Sequence, residues 1–480
     1  MNITLTLRIL GALLLFLAIA LLFPVPFSWI YGDGASGAFI LSAIISAGCG
    51  GILFSQFNSE KDLSVREGFA IVTFGWTFFA LFGALPFVFS GAIPSYLNAF
   101  FETMSGFTTT GSTILTDIEA MPPSLLLWRS LTQWLGGMGI IVLSLAILPM
   151  LGVGGMQLFK AEVPGPTTDR LKPRIQDTAK LLWGVYVLLT CVEILLLMAG
   201  GMSFFDGLNH AFTTMATGGF STRNASVAAY NSAYIDWIIT IFMFLAGVNF
   251  SLHYLALRGK VGDFIRNEEF LFYSSLVIVG TALITMLNMG GTYPGFLDNL
   301  RYSAFQVVSI ITTTGFGTAD YELWPVLCQY LLVFFMFIGG CAGSTGGGMK
   351  VARILLLFKH AQVQVYRLIH PRAVRLVKLG DRPVDKDVMQ SILGFFALYL
   401  GVFVAASFVM AATGMDLNSA GGSVIATLSN IGPGLGSVGP VDNFAHVPAI
   451  GKLVLAFCML LGRLELFTVL VLVFPSFWRK

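Results

Sequence analysis

Charge is what this sequence has least of. Only 11% of its 480 residues are Asp, Glu, Lys or Arg, whereas an ordinary globular domain carries about 25%. The 25 acidic and 27 basic side chains are too few to solvate the surface of a chain this long. That excludes a cytosolic enzyme, a nucleic-acid binder and a disordered scaffold. Paired cysteines are lacking too: Cys49, Cys191, Cys328, Cys341 and Cys458 lie far apart and form no CxxC pair. No zinc site, disulfide framework or redox centre is therefore expected. The five histidines are equally scattered, and the apolar runs hold no cluster of His, Asp or Glu to serve a membrane enzyme. No catalytic residue and no cofactor-binding residue is expected.

What the chain does have is apolar length and glycine. Apolar residues make up 56% of it, and the 53 glycines are about 11%, against an average of about 7%. A bilayer core needs about 20 apolar residues per helix. Runs of that kind fall at 9–30, 36–56, 68–90, 128–151, 181–202, 235–257, 270–290, 327–349, 389–412 and 451–474, ten spans in all. Arg8 and Ala18-Ile19-Ala20 give the first run the look of a signal peptide. It continues to Phe23 and a second run follows at once, so it reads as a retained helix.

With the N-terminus inside, 22 of the 27 basic residues fall on that side, most densely over 155–180 and 359–386. Only Arg129, Arg223, Arg301, Lys452 and Arg463 remain for the outer loops and the membrane. The positive-inside rule thus puts both termini in the cytoplasm. The outer loops carry Asp33, Asp117, Glu119, Asp320, Glu322 and Asp442, an acidic vestibule that concentrates cations or simply solvates the loops.

A fourfold repeat decides the architecture. In each of the last four outer connections a helix-compatible stretch breaks at a Thr- or Gly-rich turn. The turns are Thr109-Thr110-Gly111-Ser112, Ala216-Thr217-Gly218-Gly219, Thr313-Thr314-Gly315-Phe316 and Asn430-Ile431-Gly432-Pro433. Aligned on Gly111, Gly218, Gly315 and Gly432, they are spaced by 107, 97 and 117 residues. Glu102, Asn209, Gln306 and Ser423 then stand nine positions before the glycines. Non-helical backbone at membrane depth is tolerated only where protein buries it or water lines it. Four such turns around one axis would offer carbonyls in place of an ion's hydration shell, with Thr hydroxyls as further oxygen ligands. Oxygen-only coordination suits a hard alkali cation. The plainer alternative is that the turns merely terminate short packing helices.

These motifs, with Leu135-Gly136-Gly137-Met138-Gly139-Ile140, the run Gly339 to Lys350, Gly432-Pro433-Gly434-Leu435-Gly436 and Leu461-Gly462-Arg463-Leu464-Glu465, resemble the TrkH/KtrB/HKT superfamily of potassium transporters. The likeness covers essentially the whole chain and is strongest to the bacterial Trk-type potassium-uptake membrane subunits. It implies an all-α integral membrane fold: four pseudo-symmetric helix–pore-helix–helix repeats around one ion pore, plus an N-terminal two-helix hairpin. The boundaries are 1–60 for the hairpin and 61–160, 161–260, 261–360 and 361–480 for the repeats. The resemblance further implies K+ as permeating ion, a homodimer with a pore in each subunit, and a cytoplasmic nucleotide-binding gating ring of the TrkA type. This chain itself would bind no nucleotide. The expected location is the bacterial inner membrane, among lipid, with no nucleic-acid partner. The fourth turn, with no Thr before its glycine, departs from a strict potassium filter as the family does, and implies looser selectivity than fourfold TVGYG.

Two features lie beyond the turns. Arg463 falls near the middle of the last run, the lone charge at mid-membrane, where it costs at least ~2.5–3.5 kcal/mol unless it meets water or a partner. It reads as a positive barrier beneath the filter, and Glu465, two residues on, is on the wrong helix face to pair with it. Six glycines crowd Gly339–Lys350, at roughly 1 kcal/mol each relative to alanine in a helix, so that run should unwind. The consecutive Gly346, Gly347 and Gly348, with Ser344, Thr345 and Lys350, read as a flexible gate. Neither Gly343–Lys350 nor Gly434–Gly439 is a nucleotide motif: the first lacks the Gly-Lys-Ser/Thr ending, the second follows no strand and opens no helix. A secondary transporter with alternating access would call for inverted repeats and midplane ionisable residues. Here the repeats share one orientation, which favours the pore. A proton-coupled cation transporter is the alternative.

Overall fold

A computed structural model describes residues 2–57, 65–139, 175–290, 293, 295–380 and 382–479. The end of the span expected over 128–151 and most of the basic loop 155–180 lie outside these residues. Helices of eight or more residues are numbered here in chain order. They are α1 (Ile3–Leu21), α2 (Ser36–Gln56), α3 (Val65–Gly83), α4 (Tyr96–Phe107), α5 (Pro123–Trp134), α6 (Ile175–Ala199), α7 (Phe204–Met215) and α8 (Ala233–Ala246). The rest are α9 (Phe250–Leu257), α10 (Glu268–Asn288), α11 (Phe296–Ile311), α12 (Val326–Met336), α13 (Val351–Ile369), α14 (Lys386–Ala412), α15 (Leu417–Leu428) and α16 (Ala449–Arg463). The described strands are a two-residue antiparallel pair, Lys378–Leu379 with Arg382–Pro383.

Six described helical stretches are long and apolar enough to cross a membrane, or eight if each of two bent pairs is one span. The N-terminal hairpin closes through glycine. A Cβ on Gly11 would lie 2.7 Å from the Gly50 carbonyl, so α1 and α2 approach backbone to backbone, as small residues allow in lipid.

Three expected spans differ from straight helices. The run 235–257 bends by 102° between α8 and α9, where Asn249 leaves the helix and its side chain accepts the Ser251 N–H at 2.8 Å as a new N-cap. The run 451–474 bends by 113° just after Arg463, where Glu465 and Leu466 both take left-handed backbone. Arg463 therefore stands at a helix end rather than mid-helix. The run 327–349 is helical only to Met336. The chain then doubles back, with the Gly339 N–H on the Met349 carbonyl at 2.8 Å. Hydropathy averages over a window and is blind to such breaks. What permits them is tertiary: the 338–349 loop lies in the α8–α9 bend, where the Cys341 N–H bonds the Gly247 carbonyl and the Phe250 N–H bonds Gly343.

Candidate functional site

Four helices, α4, α7, α11 and α15, end in the four turns, and all four turns share one backbone. Thr109, Thr217, Thr313 and Asn430 have φ of 52°, 53°, 60° and 55°, and two residues on Gly111, Gly219, Gly315 and Gly432 have φ of 86°, 73°, 83° and 105°. Non-glycine residues rarely adopt positive φ, and such strain collects at functional sites. Between them, the N–H groups of Thr110, Gly218, Thr314 and Ile431 each reach back five residues to a carbonyl at 2.8 Å. This corrects the alignment made on Gly218. The left-handed glycine of the second turn is Gly219, and His210, not Asn209, stands nine residues before it. Two adjacent glycines left the register open in the letters, and the backbone angle decides it.

The turns touch in cyclic order. A Cβ on Gly111 would sit 2.3 Å from the Gly218 carbonyl, and one on Gly219 2.0 Å from that of Thr314. On Gly315 it would sit 1.8 Å from the Ile431 carbonyl, and on Gly432 2.8 Å from that of Thr110. Turns one to four thus close a ring in which glycine is required twice over, by φ and by space. The ring also receives four helix C-termini, each carrying about half a negative charge.

Buried side chains hold the ring from behind, in contacts that the sequence alone does not give. Glu102 and Arg129 form a buried pair at 2.6 Å; Glu102 also accepts from Thr113 and the Ile114 N–H, while Arg129 donates to the Ser221 carbonyl at 2.9 Å. Asn430 donates to the Thr110 hydroxyl and the Met459 carbonyl, both at 2.9 Å. Ser112 donates to the Gly432 carbonyl at 3.1 Å, and Phe316 lies buried behind the third turn with its carbonyl on Ser309. Pro433 packs its Cδ beside Gly315.

The glycine loop lies against the helix-end side of the ring. The Gly347 N–H donates to the Thr313 hydroxyl at 2.7 Å, the Thr345 hydroxyl to the Met215 carbonyl at 2.9 Å, and a Cβ on Gly347 would meet the Ser429 carbonyl at 2.4 Å. Arg463 clasps the loop, donating to the carbonyls of Thr345 (2.7 Å), Gly136 (2.6 Å) and Gly137 (2.7 Å). Lys350 caps the Gly346 carbonyl, and Glu465 pairs with Arg353, not with Arg463. Gly343 and Gly348 are the left-handed glycines of the run, at φ 75° and 62°.

Arg463, itself half-buried, is not the lone charge in the apolar interior. Glu193 is wholly buried in α6 beside the Thr214 hydroxyl, and Glu269, Arg353 and Glu465 are also buried. Glu193 and Glu465 fall inside apolar runs, whose letters give no sign of which face they occupy, while Glu269 and Arg353 fall just outside such runs.

On the far side of the ring lie the acidic residues. Glu322 accepts the Gly436 N–H at 2.6 Å; burial pushes its carboxyl up, the Gly436 bond pulls it down, and Asp320 and Asp442 push it up again, for a net rise. Asn224 donates to Asp117 at 2.9 Å and holds that carboxyl below its ordinary value. Among the described residues no group of three or more His, Cys, Asp or Glu could hold a metal ion. The hydroxyls of Thr110, Thr217, Thr313 and Thr314, expected as further ligands, are instead bonded within the protein, so backbone carbonyl oxygens are what the ring offers, a set that fits a hard alkali cation.

A family model described as "TrkH: Cation transport protein" matches residues 36–480. The chain belongs to the TrkH family. Similar members include the Trk system potassium uptake protein TrkH of Salmonella typhimurium, 46% identical over 98% of this chain and 99% of that one. TrkG of Escherichia coli, another Trk system potassium uptake protein, is 33% identical over 98% of this chain and 97% of its own length. The crystal structure of the potassium transporter TrkH from Vibrio parahaemolyticus superposes with a TM-score of 0.90 at 39% identity, covering both chains in full. This TrkH-family chain is therefore a mainly helical membrane transporter of a family that belongs to no enzyme class.

Proposed function

We propose that the chain is the potassium-conducting subunit of a bacterial K+ uptake system in the inner membrane. The closed ring of four left-handed turns carries this reading. Thr109 to Ser112, Ala216 to Gly219, Thr313 to Phe316 and Asn430 to Pro433 line the filter, and K+ sheds water onto their carbonyls. Residues 1–60 form the hairpin, and 61–160, 161–260, 261–360 and 361–480 the four repeats around the pore. Gly346, Gly347 and Gly348 form a gate pressed against the ring, with Lys350 and Arg463 supplying positive charge that slows cations beneath it. Both termini are cytoplasmic, two copies assemble, and a nucleotide-binding ring docks on the basic inner surface to move the gate. The relatives' names support K+ as the cargo, and the donor set supports a bare alkali cation.

A second reading, proton-coupled cation transport, draws on Glu193, an ionisable group buried in a span. Purified protein in liposomes separates the two. A conducting pore gives K+ uptake that follows the K+ gradient alone; uptake that requires a proton gradient establishes coupling instead.

A further inference from the structure

The second turn has the least side chain of its own. Hydroxyl pairs brace the first and third, Thr108 with Thr110 and Thr312 with Thr314, each at 2.8 Å, and the Tyr399 and Ser429 hydroxyls meet at 2.6 Å behind the fourth. At the same places the second turn has Ala216 and Gly218, followed by Gly219. The Thr217 hydroxyl bonds only its neighbour's carbonyl, that of Ala216, at 2.6 Å, so a turn with two adjacent glycines and no hydroxyl pair should be the loosest of the four.

A residue from another helix fills the gap. Gln133, wholly buried on α5, donates from Nε2 to the Gly218 carbonyl at 2.6 Å and accepts the Phe220 N–H on Oε1 at 3.1 Å. A Cβ on Gly218 would meet Gln133 Cδ, Oε1 and Nε2 at 2.3, 2.4 and 2.7 Å. The amide thus occupies the place of the missing side chain. Gly218 is also not among the left-handed glycines, so its lack of a side chain answers to Gln133 rather than to backbone angle. Gln133 belongs to a column at helical spacing. One turn before it Arg129 donates to the Ser221 carbonyl, and one turn after it a Cβ on Gly137 would lie 3.0 Å from Ala216 Cα. The column spans 216–221.

We infer that Gln133 is a positioning residue that sets ion specificity, its amide acting as a surrogate side chain for the second turn. This rests on the reading of the ring as a cation filter. A carbonyl has two lone pairs, and Gln133 fixes one of those on Gly218 and so aims the other. Selectivity depends on the number, field and spacing of such oxygens.

The test is the K+/Na+ permeability ratio of the purified full chain in liposomes, read beside its thermal unfolding midpoint. Gln133→Ala removes two hydrogen bonds and should lower the ratio about tenfold. Gly218→Ala displaces the end of a flexible side chain and should lower it as much. The double variant should be no worse than either single, because both remove the same contact. Gln133→Glu keeps an acceptor for Phe220 but sets a carboxylate oxygen against the Gly218 carbonyl, and should fall below Gln133→Ala. A merely structural role would move the midpoint and leave the ratio alone. An unchanged ratio in Gln133→Ala, or additive losses in the double variant, overturns the proposal. If Gln133→Ala does not fold, Gly218→Ala alone decides, since an unchanged ratio there overturns it equally. Wild type without selective K+ flux instead overturns the filter reading itself.

Discussion

Arg463 spends three donors on three carbonyls of two different segments, Thr345 on the glycine loop and Gly136 and Gly137 beyond α5. A guanidinium so held cannot swing aside without leaving buried carbonyls unpaired. Arg463→Ala removes both the clasp and the positive charge, so cation flux in liposomes should rise; equal or lower flux in a well-folded variant counts against a barrier role. Asp33 gives a residue-scale prediction about pH. Its burial alone would raise the carboxyl, but the Ser28 hydroxyl and the Ser124 and Ala35 N–H groups outweigh it and hold it below 3.8. A carboxyl depressed on folding stabilises the native state above its unfolded value, and that stability is lost as pH falls through the folded one. Asp33→Asn should therefore lower the unfolding midpoint at neutral pH and narrow its gap to wild type below about pH 3.8. A gap constant down to pH 2 would refute the assignment.

At the scale of elements, the buried Glu102–Arg129 pair joins α4 to α5 behind the first turn. Removing one partner of such a pair costs about 3–5 kcal/mol, because the other charge stays buried. Arg129→Met should thus destabilise the protein far more than Glu102→Gln with Arg129→Met together, as read by thermal unfolding in detergent. The glycine loop makes a different prediction. Alanine at 347 would press on the Ser429 carbonyl at 2.4 Å, so Gly347→Ala, or alanine at 346, 347 and 348 together, should change K+ flux if the loop is the proposed gate. Wild-type flux and wild-type response to nucleotide would rule the gate out. How much of this the sequence disclosed follows from what lettering encodes. The Thr-Gly turns and the glycine run were legible because each needs unusual backbone. The bends after Ala246 and Arg463, the second turn's register and Gln133 were not, because each depends on what packs against it. A lone glutamine in an apolar helix carries no signal until its Gly218 partner is known.

For the whole molecule, the scarcity of charge and the excess of glycine have a common cause. Lipid removes the need for a polar surface, and close helix packing and a bare-backbone ring both need residues without side chains. Near the ring and its loop, the buried Glu102, Arg129, Arg353 and Glu465 clasp backbone or one another. The measurement nearest to the central claim is anomalous scattering from crystals of the protein grown in Rb+. The strongest peak should lie inside the ring, within coordination distance of the carbonyls of Thr110, Gly218, Thr314 and Ile431. A ring without Rb+, and a strongest peak beside Glu193 instead, would contradict it.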